Sequence, residues 1–374
     1  MSIEVTMVRN QRESETYIRL PYEIYRGYKY HIPPLLRDEH RFHNPNFNLS
    51  LGTCDTIRLL AYKDGSPAGR IMGIIHHEYN ALHKLKDVRF FQLDCIDELD
   101  VASRLLQSVE EWGRALGMNR VIGPFGFSDK DPQGIQIAGH SSGAVIASAT
   151  SPPYIATSIE KLGYSKFKDC VSYVWNVSNH LPEIYERVAN RIKLKGGFEL
   201  IEFDTRSQIR SYLKQMMELL NSGYDHIFGF VPMDEQEIES MAKEYLGFIN
   251  PRFVKMILKS QKPVAFVIAM PNIANGFKKA NGHLWPTGFI HLLKAYHTSK
   301  KLDLLLGAIE PKYQKMGLTS LLAMSLINEA SHSGFKTLDS HLVLEENHLM
   351  RAEMERLGAQ LTKRYRIFEK ILCN

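Results

Sequence analysis

The residues with the clearest chemical potential lie in one short loop of the second half of the chain. An apolar run ends at Ile309, and the loop continues Glu310, Pro311, Lys312, Tyr313, Gln314, Lys315, Met316, Gly317, Leu318, Thr319. A helix that starts at this point leaves about four backbone N–H groups without intrahelical partners, and its dipole adds partial positive charge. Gly317 lets the backbone come close to a ligand, and Lys312 and Lys315 add positive charge. The pattern predicts a pyrophosphate site.

The segments around this loop predict alternating strands and helices. They are a strand at Leu302–Ile309, a helix at Leu318–Ser331, a strand at Leu338–Val343, a helix at His348–Leu357 and a strand at Arg364–Ile371. Gly334 and Gly358 follow the two helices, where a left-handed C-cap is expected. This alternation predicts an α/β (α+β) fold.

The first half of the chain repeats this order of elements. A helix at Ala102–Leu116 is followed by Gly117 and by a strand at Arg120–Ile122. We interpret the repeat as a tandem duplication, with domains at residues 1–190 and 191–374. Coincidence stays open as the alternative, because helix, glycine and strand follow one another in many α/β proteins.

Composition and charge exclude several classes of protein. The 374 residues are 44% hydrophobic and 23% charged, which is ordinary for a globular protein of about two domains. A net charge of +5 is too small to predict a nucleic-acid partner. No apolar run is long enough to span a membrane, and the first fifteen residues contain no secretory signal. The scattered cysteines and histidines predict no metal site, and a cytoplasmic location is expected.

The loop and its surroundings resemble the GNAT superfamily of acyl-CoA-dependent N-acyltransferases. Gln314 and Gly317 match the superfamily's Gln/Arg-x-x-Gly-x-Gly/Ala loop, with Thr319 in place of the last small residue, and the resemblance covers roughly residues 198–374. It implies two tandem GNAT-like domains, each a mixed twisted sheet flanked by helices, with acetyl-CoA or another acyl-CoA as donor. The donor-binding residues that it implies are Ile309, Gln314, Lys315, Met316, Gly317, Leu318, Thr319 and Asn347.

The resemblance also suggests which residues perform catalysis. Amine acylation needs a group that accepts the amine proton, and Glu310 or Glu345 is expected beside the thioester. Tyr313 is the candidate acid, because Met354 occupies the position where many members carry a tyrosine. The alternatives are that the carboxylates are solvated and that Tyr313 only packs. Asp339 and His341 would share one face of their strand, as a buried pair or as substrate contacts.

The first half resembles a degenerate copy without a phosphate loop. Asp94, Asp97, Glu98 and Asp100 precede its helix and would repel a pyrophosphate. The sequence therefore predicts one coenzyme A per chain, bound in the second half.

Together these observations predict an acyl-CoA-dependent N-acyltransferase, in the first instance an N-acetyltransferase, that acts on a small-molecule amine. Two alternatives stay open: a non-catalytic protein that binds acyl-CoA or another small ligand, and an aminoacyl-tRNA-dependent transferase of the tandem-GNAT type. The latter needs a large basic face, which the spread of charge does not favour. The acceptor, the acyl length and the oligomeric state are left open by the sequence.

Overall fold

The computed structural model describes residues 2–145, 148–177, 180–195, 197–224 and 227–372. The strands are β1 (Ile3–Met7), β2 (Cys54–Lys63), β3 (Ser66–His76), β4 (Asp87–Cys95), β5 (Arg120–Gly123), β6 (Ile135–Ala138), β7 (Ser165–Asn176), β8 (Phe198–Glu202), β9 (Val254–Lys259), β10 (Lys262–Pro271), β11 (Lys301–Ile309), β12 (Thr337–Asp339), β13 (Val343–Leu344) and β14 (Gln360–Ile371). The helices are α1 (Gln11–Ile24), α2 (Leu36–Phe42), α3 (Ser50–Thr53), α4 (His77–His83), α5 (Leu99–Ala115), α6 (Pro153–Lys161), α7 (Glu183–Lys195), α8 (Arg206–Tyr224), α9 (Glu235–Tyr245), α10 (Ala274–Ala280), α11 (Gly288–Thr298), α12 (Leu318–His332) and α13 (His348–Arg356). Within these ranges, no helix combines the length and the apolar character needed to cross a bilayer.

These strands form a single mixed sheet that runs through both halves. Its main path is β1-β2-β3-β4-β5-β14-β7-β12-β11-β10-β9-β8, with β6 on β14 and β13 on β7. Helices pack on the sheet through apolar faces; α5, for example, buries Leu105, Leu106 and Val109 against the first half's strands. The α/β (α+β) prediction is confirmed.

The helix ends follow the expectation drawn from glycine. Gly117, Gly334 and Gly358 have φ angles of 80°, 77° and 78°, and each follows the single C-cap residue of α5, α12 or α13. An L side chain is disfavoured in this left-handed region, so glycine sets where each helix stops.

The two halves exchange their last strands. β14, from the end of the chain, lies between β5 and β7. β7, from the first half, pairs antiparallel with β12 of the second half. Each half therefore completes the other's part of the sheet. The domain boundary between residues 190 and 191 remains a prediction, and it falls inside α7.

In both halves the sheet splays open after a short parallel contact. β11 pairs with β12 only over Lys301–Asp303, while residues 304–309 of β11, apart from Leu305 at a bulge, remain paired with β10 on their other side. Likewise β4 pairs with β5 only over Asp87–Arg89. We call each of these openings between two diverging strands a wedge. Its presence in both halves agrees with the interpretation of the chain as a duplication.

A buried charged cluster joins the exchanged strands. Lys363 on β14 and Asp339 on β12 are both fully buried and form a salt bridge. Asp339 also accepts a hydrogen bond of 2.7 Å from the Ser172 hydroxyl of β7 and pairs with Lys301. On β11, Asp303 accepts from Asn272 Nδ2 at 2.7 Å. The cluster thus connects four strands from both halves.

The titration of Asp303 should make stability depend on pH. Burial, reinforced by the negative charge of Asp339, raises the pKa of Asp303 to about 7 from an ordinary value of 3.8. A carboxyl group whose folded pKa is raised stabilises the fold below its unfolded pKa, and this stabilisation is lost as pH rises through about 7. We therefore expect Asp303→Asn to be more favourable at pH 8 than at pH 5, by roughly 1–3 kcal/mol.

Urea unfolding of wild type and variant at the two pH values measures this difference. Asp97→Asn, at an exposed position, is the matched control. An equal effect of Asp303→Asn at both pH values would contradict the assignment.

Candidate active site

One large cavity lies against the splayed strand and is lined by both halves of the chain. Its volume is about 2650 Å³, whereas ordinary small-molecule pockets occupy roughly 300–1,000 Å³. Most of the lining side chains are apolar. Representative wall residues are Phe42, Phe91 and Phe127 from the first half, and Leu304, Leu305, Leu306, Leu326 and Ile327 from the second. The cavity can therefore accept a ligand with long hydrocarbon chains.

The predicted phosphate loop forms part of the cavity wall. After β11 the chain makes a 3₁₀ turn at Pro311–Tyr313, and α12 begins at Leu318. Gly317 precedes α12 with φ 89°, and no side chain caps the helix. A Cβ on Gly317 would lie 2.4 Å from Cγ1 of Val188 on α7. Glycine is thus required both by the backbone conformation and by helix packing, and the open helix start can accept an anion.

All eight predicted donor-binding residues line this cavity: Ile309, Gln314, Lys315, Met316, Gly317, Leu318, Thr319 and Asn347. Asn347 is the N-cap of α13, and its Oδ1 accepts a hydrogen bond of 3.1 Å from the Met350 N–H. This bond fixes the side chain at the wall. The placement is compatible with the predicted donor site, which remains a prediction.

The two predicted base carboxylates lie outside the lining of the cavity. Glu310 forms a salt bridge of 2.6 Å with Lys312. Glu345 pairs with Lys166 and Arg364, and these hydrogen bonds lower the pKa of Glu345. A carboxylate held in the ionised form by two cations is a weakened proton acceptor.

Tyr313, the predicted acid, does line the cavity, and it is held by its neighbours. Its ring packs edge-on against Phe198, with centroids 5.6 Å apart. The ammonium groups of Lys259 and Lys312 lie 5.3 and 4.9 Å from the ring centroid. These contacts fix the ring beside the loop.

Strand exchange places a second tyrosine near the position where many superfamily members carry theirs. Met354 is buried in a small apolar cluster that also contains Tyr173 of β7. The Tyr173 hydroxyl contacts Glu355 Oε1 at 3.3 Å and Arg351 Nε at 3.1 Å, and Tyr173 lines the cavity. The sequence carries no signal for this neighbour, because Tyr173 and Met354 belong to different halves.

The expectation that Asp339 and His341 share a strand face is wrong. β12 ends at Asp339, whose carboxylate is buried in the charged cluster. His341 lies beyond the strand end and lines the cavity. Burial lowers the pKa of the His341 imidazole below its ordinary 6.5, which favours the neutral form. His341 is therefore a group inside the cavity that can accept a proton.

Two of the four first-half acids do not lie in the loop before the helix, as the sequence predicts: Asp94 is part of β4 and Asp100 is part of α5. Asp94 lies on β4 and accepts a 2.8 Å hydrogen bond from buried Arg70. Glu98 pairs with Lys63. Two of the four acids are therefore neutralised by local cations. In the described ranges, no group of three or more His, Cys, Asp or Glu side chains is arranged to hold a metal ion.

Two sequence relatives match over nearly the whole chain. Protein YghO of Escherichia coli K12 is 28% identical, and the match covers 96% of this chain and 93% of that protein. The bacterial ceramide synthase of Caulobacter vibrioides is 25% identical, with 99% and 98% covered. No protein-family model matches.

Solved structures identify the fold. A tandem GNAT protein from the clavulanic acid biosynthesis pathway, without AcCoA, superposes with a TM-score of 0.55 at 10% identity, covering 100% of this chain and 99% of that one. A GCN5-related N-acetyltransferase from Sphaerobacter thermophilus gives a TM-score of 0.53 at 12% identity, with 100% and 96% covered. The chain therefore has the tandem GNAT fold, as its sequence pattern predicts.

Proposed function

We propose that this protein is an acyl-CoA-dependent N-acyltransferase that joins a long acyl chain to an amine with a long apolar body of its own. The observation that carries the proposal is the cavity, which combines large volume and apolar walls with an open helix start at Gly317. Coenzyme A would occupy the part of this volume beside Gly317, and an acetyl group and a small amine would leave the apolar walls of the rest uncovered. The match to a bacterial ceramide synthase supports the same class of product, since a ceramide is an amide of a long-chain amine.

The splayed strand gives the donor a place to bind. Among the described residues, β12 pairs with β11 no further than Asp303, so residues 304–309 can bond an extended thioester arm by backbone groups on that side. One of these groups, the Gly307 carbonyl, already accepts a hydrogen bond of 2.7 Å from the Tyr224 hydroxyl. The pyrophosphate would lie at the start of α12, where the partial positive charge of the helix favours an anion. The acyl chain would then extend into the apolar part of the cavity.

In the proposed reaction, the acceptor nitrogen attacks the thioester carbonyl. A C–N bond forms, the C–S bond breaks and coenzyme A leaves as thiolate. The amine proton passes to a base, and His341 is our first candidate because it is neutral and lines the cavity. Glu310 and Glu345 remain candidates through water. Tyr173 or Tyr313 would protonate the thiolate.

A second function has one observation in its favour. Met354 is buried among apolar side chains where many GNAT enzymes carry an acid, and this would suit a protein that binds acyl-CoA without turnover. Binding together with the absence of product for every amine tested would support that function.

Thr319→Glu tests the donor site. The substitution places a carboxylate in the first turn of α12, where it favours the helix but repels a pyrophosphate. We expect coenzyme A affinity, measured by calorimetry, to fall at least about tenfold, while the thermal midpoint stays unchanged. Ser207→Glu puts the same charge in the first turn of α8 and should bind normally. Equal affinity in both variants and wild type would exclude this loop as the donor site.

His341→Ala and the carboxylate variants Glu310→Gln and Glu345→Gln identify the base. Loss of a general base lowers kcat by about 10²–10⁴-fold, and we expect this for His341→Ala with donor affinity nearly unchanged. Because burial lowers the pKa of His341 below 6.5, the step in the pH–rate profile that His341→Ala removes should lie below pH 6.5. A normal rate in His341→Ala, with a loss in either carboxylate variant, would assign the base to that carboxylate.

Ala323→Trp tests the length of the acyl chain. Ala323 lines the cavity on α12, so a bulky side chain should displace several methylenes of a long chain, each worth about 0.8 kcal/mol. We expect the affinity for palmitoyl-CoA to fall at least about tenfold, with the affinity for acetyl-CoA little changed. Ser331→Trp, exposed on the same helix, is the control. Equal losses for both donors would show that the acyl chain lies elsewhere.

A further inference from the structure

The connection between β10 and β11 carries a helical insertion. Residues 272–300 contain α10 and α11. The corresponding connection of the first half, from β3 to β4, consists of residues 77–86 with the single short helix α4. The insertion therefore adds a surface that the first half lacks.

This insertion exposes an unusual amount of apolar side chain. Trp285 is 72% exposed, Phe289 39%, Ile290 51% and Leu293 56%, and we name these four residues the apolar patch. The rings of Trp285 and Phe289 pack together, with centroids 4.9 Å apart. Exposed apolar residues grouped in this way commonly mark a contact surface.

The charge of the insertion identifies the kind of surface that it fits. Residues 272–300 contain four lysines and no aspartate or glutamate. Lys278, Lys279, Lys294 and Lys300 are all exposed. The lysines lie on both helices and after α11, so the insertion as a whole is cationic. Cationic segments that expose aromatic and aliphatic side chains are typical of the headgroup region of an anionic bilayer.

We propose that the insertion docks this protein on the surface of an anionic lipid bilayer. The apolar patch enters the interface, with Trp285 at headgroup depth, and Lys279, Lys294 and Lys300 contact the lipid phosphates. The Lys278 ammonium instead donates to the Lys29 carbonyl. A second copy of the chain is a poorer occupant. An isologous contact through this patch would bring the lysines of both insertions together without a compensating carboxylate from either insertion.

The patch also adjoins the cavity. Phe289 and Leu293 are exposed, and both line the cavity wall. Docking would therefore hold the cavity rim at the level where lipid chains begin. Bilayer binding itself does not depend on the proposed function, whereas the passage of a long-chain substrate from bilayer to cavity rests on it.

Vesicle binding by the full chain, without substrate, tests the proposal. We expect the wild type to sediment with vesicles of equal parts phosphatidylcholine and phosphatidylglycerol, and weakly or not at all with phosphatidylcholine alone. Trp285 is the most exposed of the three tryptophans, since Trp175 is buried and Trp112 half-buried. Its emission should shift to shorter wavelength on binding and be quenched by brominated lipid.

Ile290→Glu should weaken vesicle binding at least about fivefold, because it places a charge in the patch. Leu82→Glu is the matched control, since Leu82 is 77% exposed on α4 of the first half, and its binding should equal that of the wild type. Absence of wild-type binding, or equal binding by Ile290→Glu, would overturn the proposal. A wild-type dimer that Ile290→Glu converts to a monomer, without vesicle binding, would instead assign the patch to a second copy.

Discussion

The exchange of β7 and β14 is the constraint on which the rest of this structure depends. It converts two repeated units into one continuous sheet, and the Lys363–Asp339 salt bridge lies at the crossing. Breaking a buried pair by removing one partner leaves an uncompensated charge in the interior, so both members are needed together. The two splayed wedges then occupy fixed places in a single framework.

This framework explains why one cavity is lined by both halves. The wedge beside β11 leaves residues 304–309 without a neighbouring strand on the β12 side, and the first half contributes aromatic side chains to the cavity wall. The open start of α12 lies at the same cavity. The proposed donor site at Gly317 and the apolar walls proposed to hold long chains are thus adjacent.

Much of this could be predicted from the sequence, and the missing part has a physical reason. Gly317, Gly334 and Gly358 were informative because only glycine adopts their positive φ without strain. The exchange of strands leaves no local signal in the sequence, because the apolar pattern of β7 or β14 would be the same whether its neighbour came from its own half or from the other. Tyr173 was missed for that reason. His341 was misplaced because β12 ends at Asp339, before the predicted strand end at Val343.

The strand exchange also has a consequence for biosynthesis. As the chain leaves the ribosome, β5 emerges early but must wait for β14, whose residues 360–371 are made some 240 residues later by their numbering. Until then the edge of β5 is unpaired, and such edges are sites of aggregation. Neither half is therefore expected to be a stable fragment on its own, and folding of the first half must be completed after translation of the second.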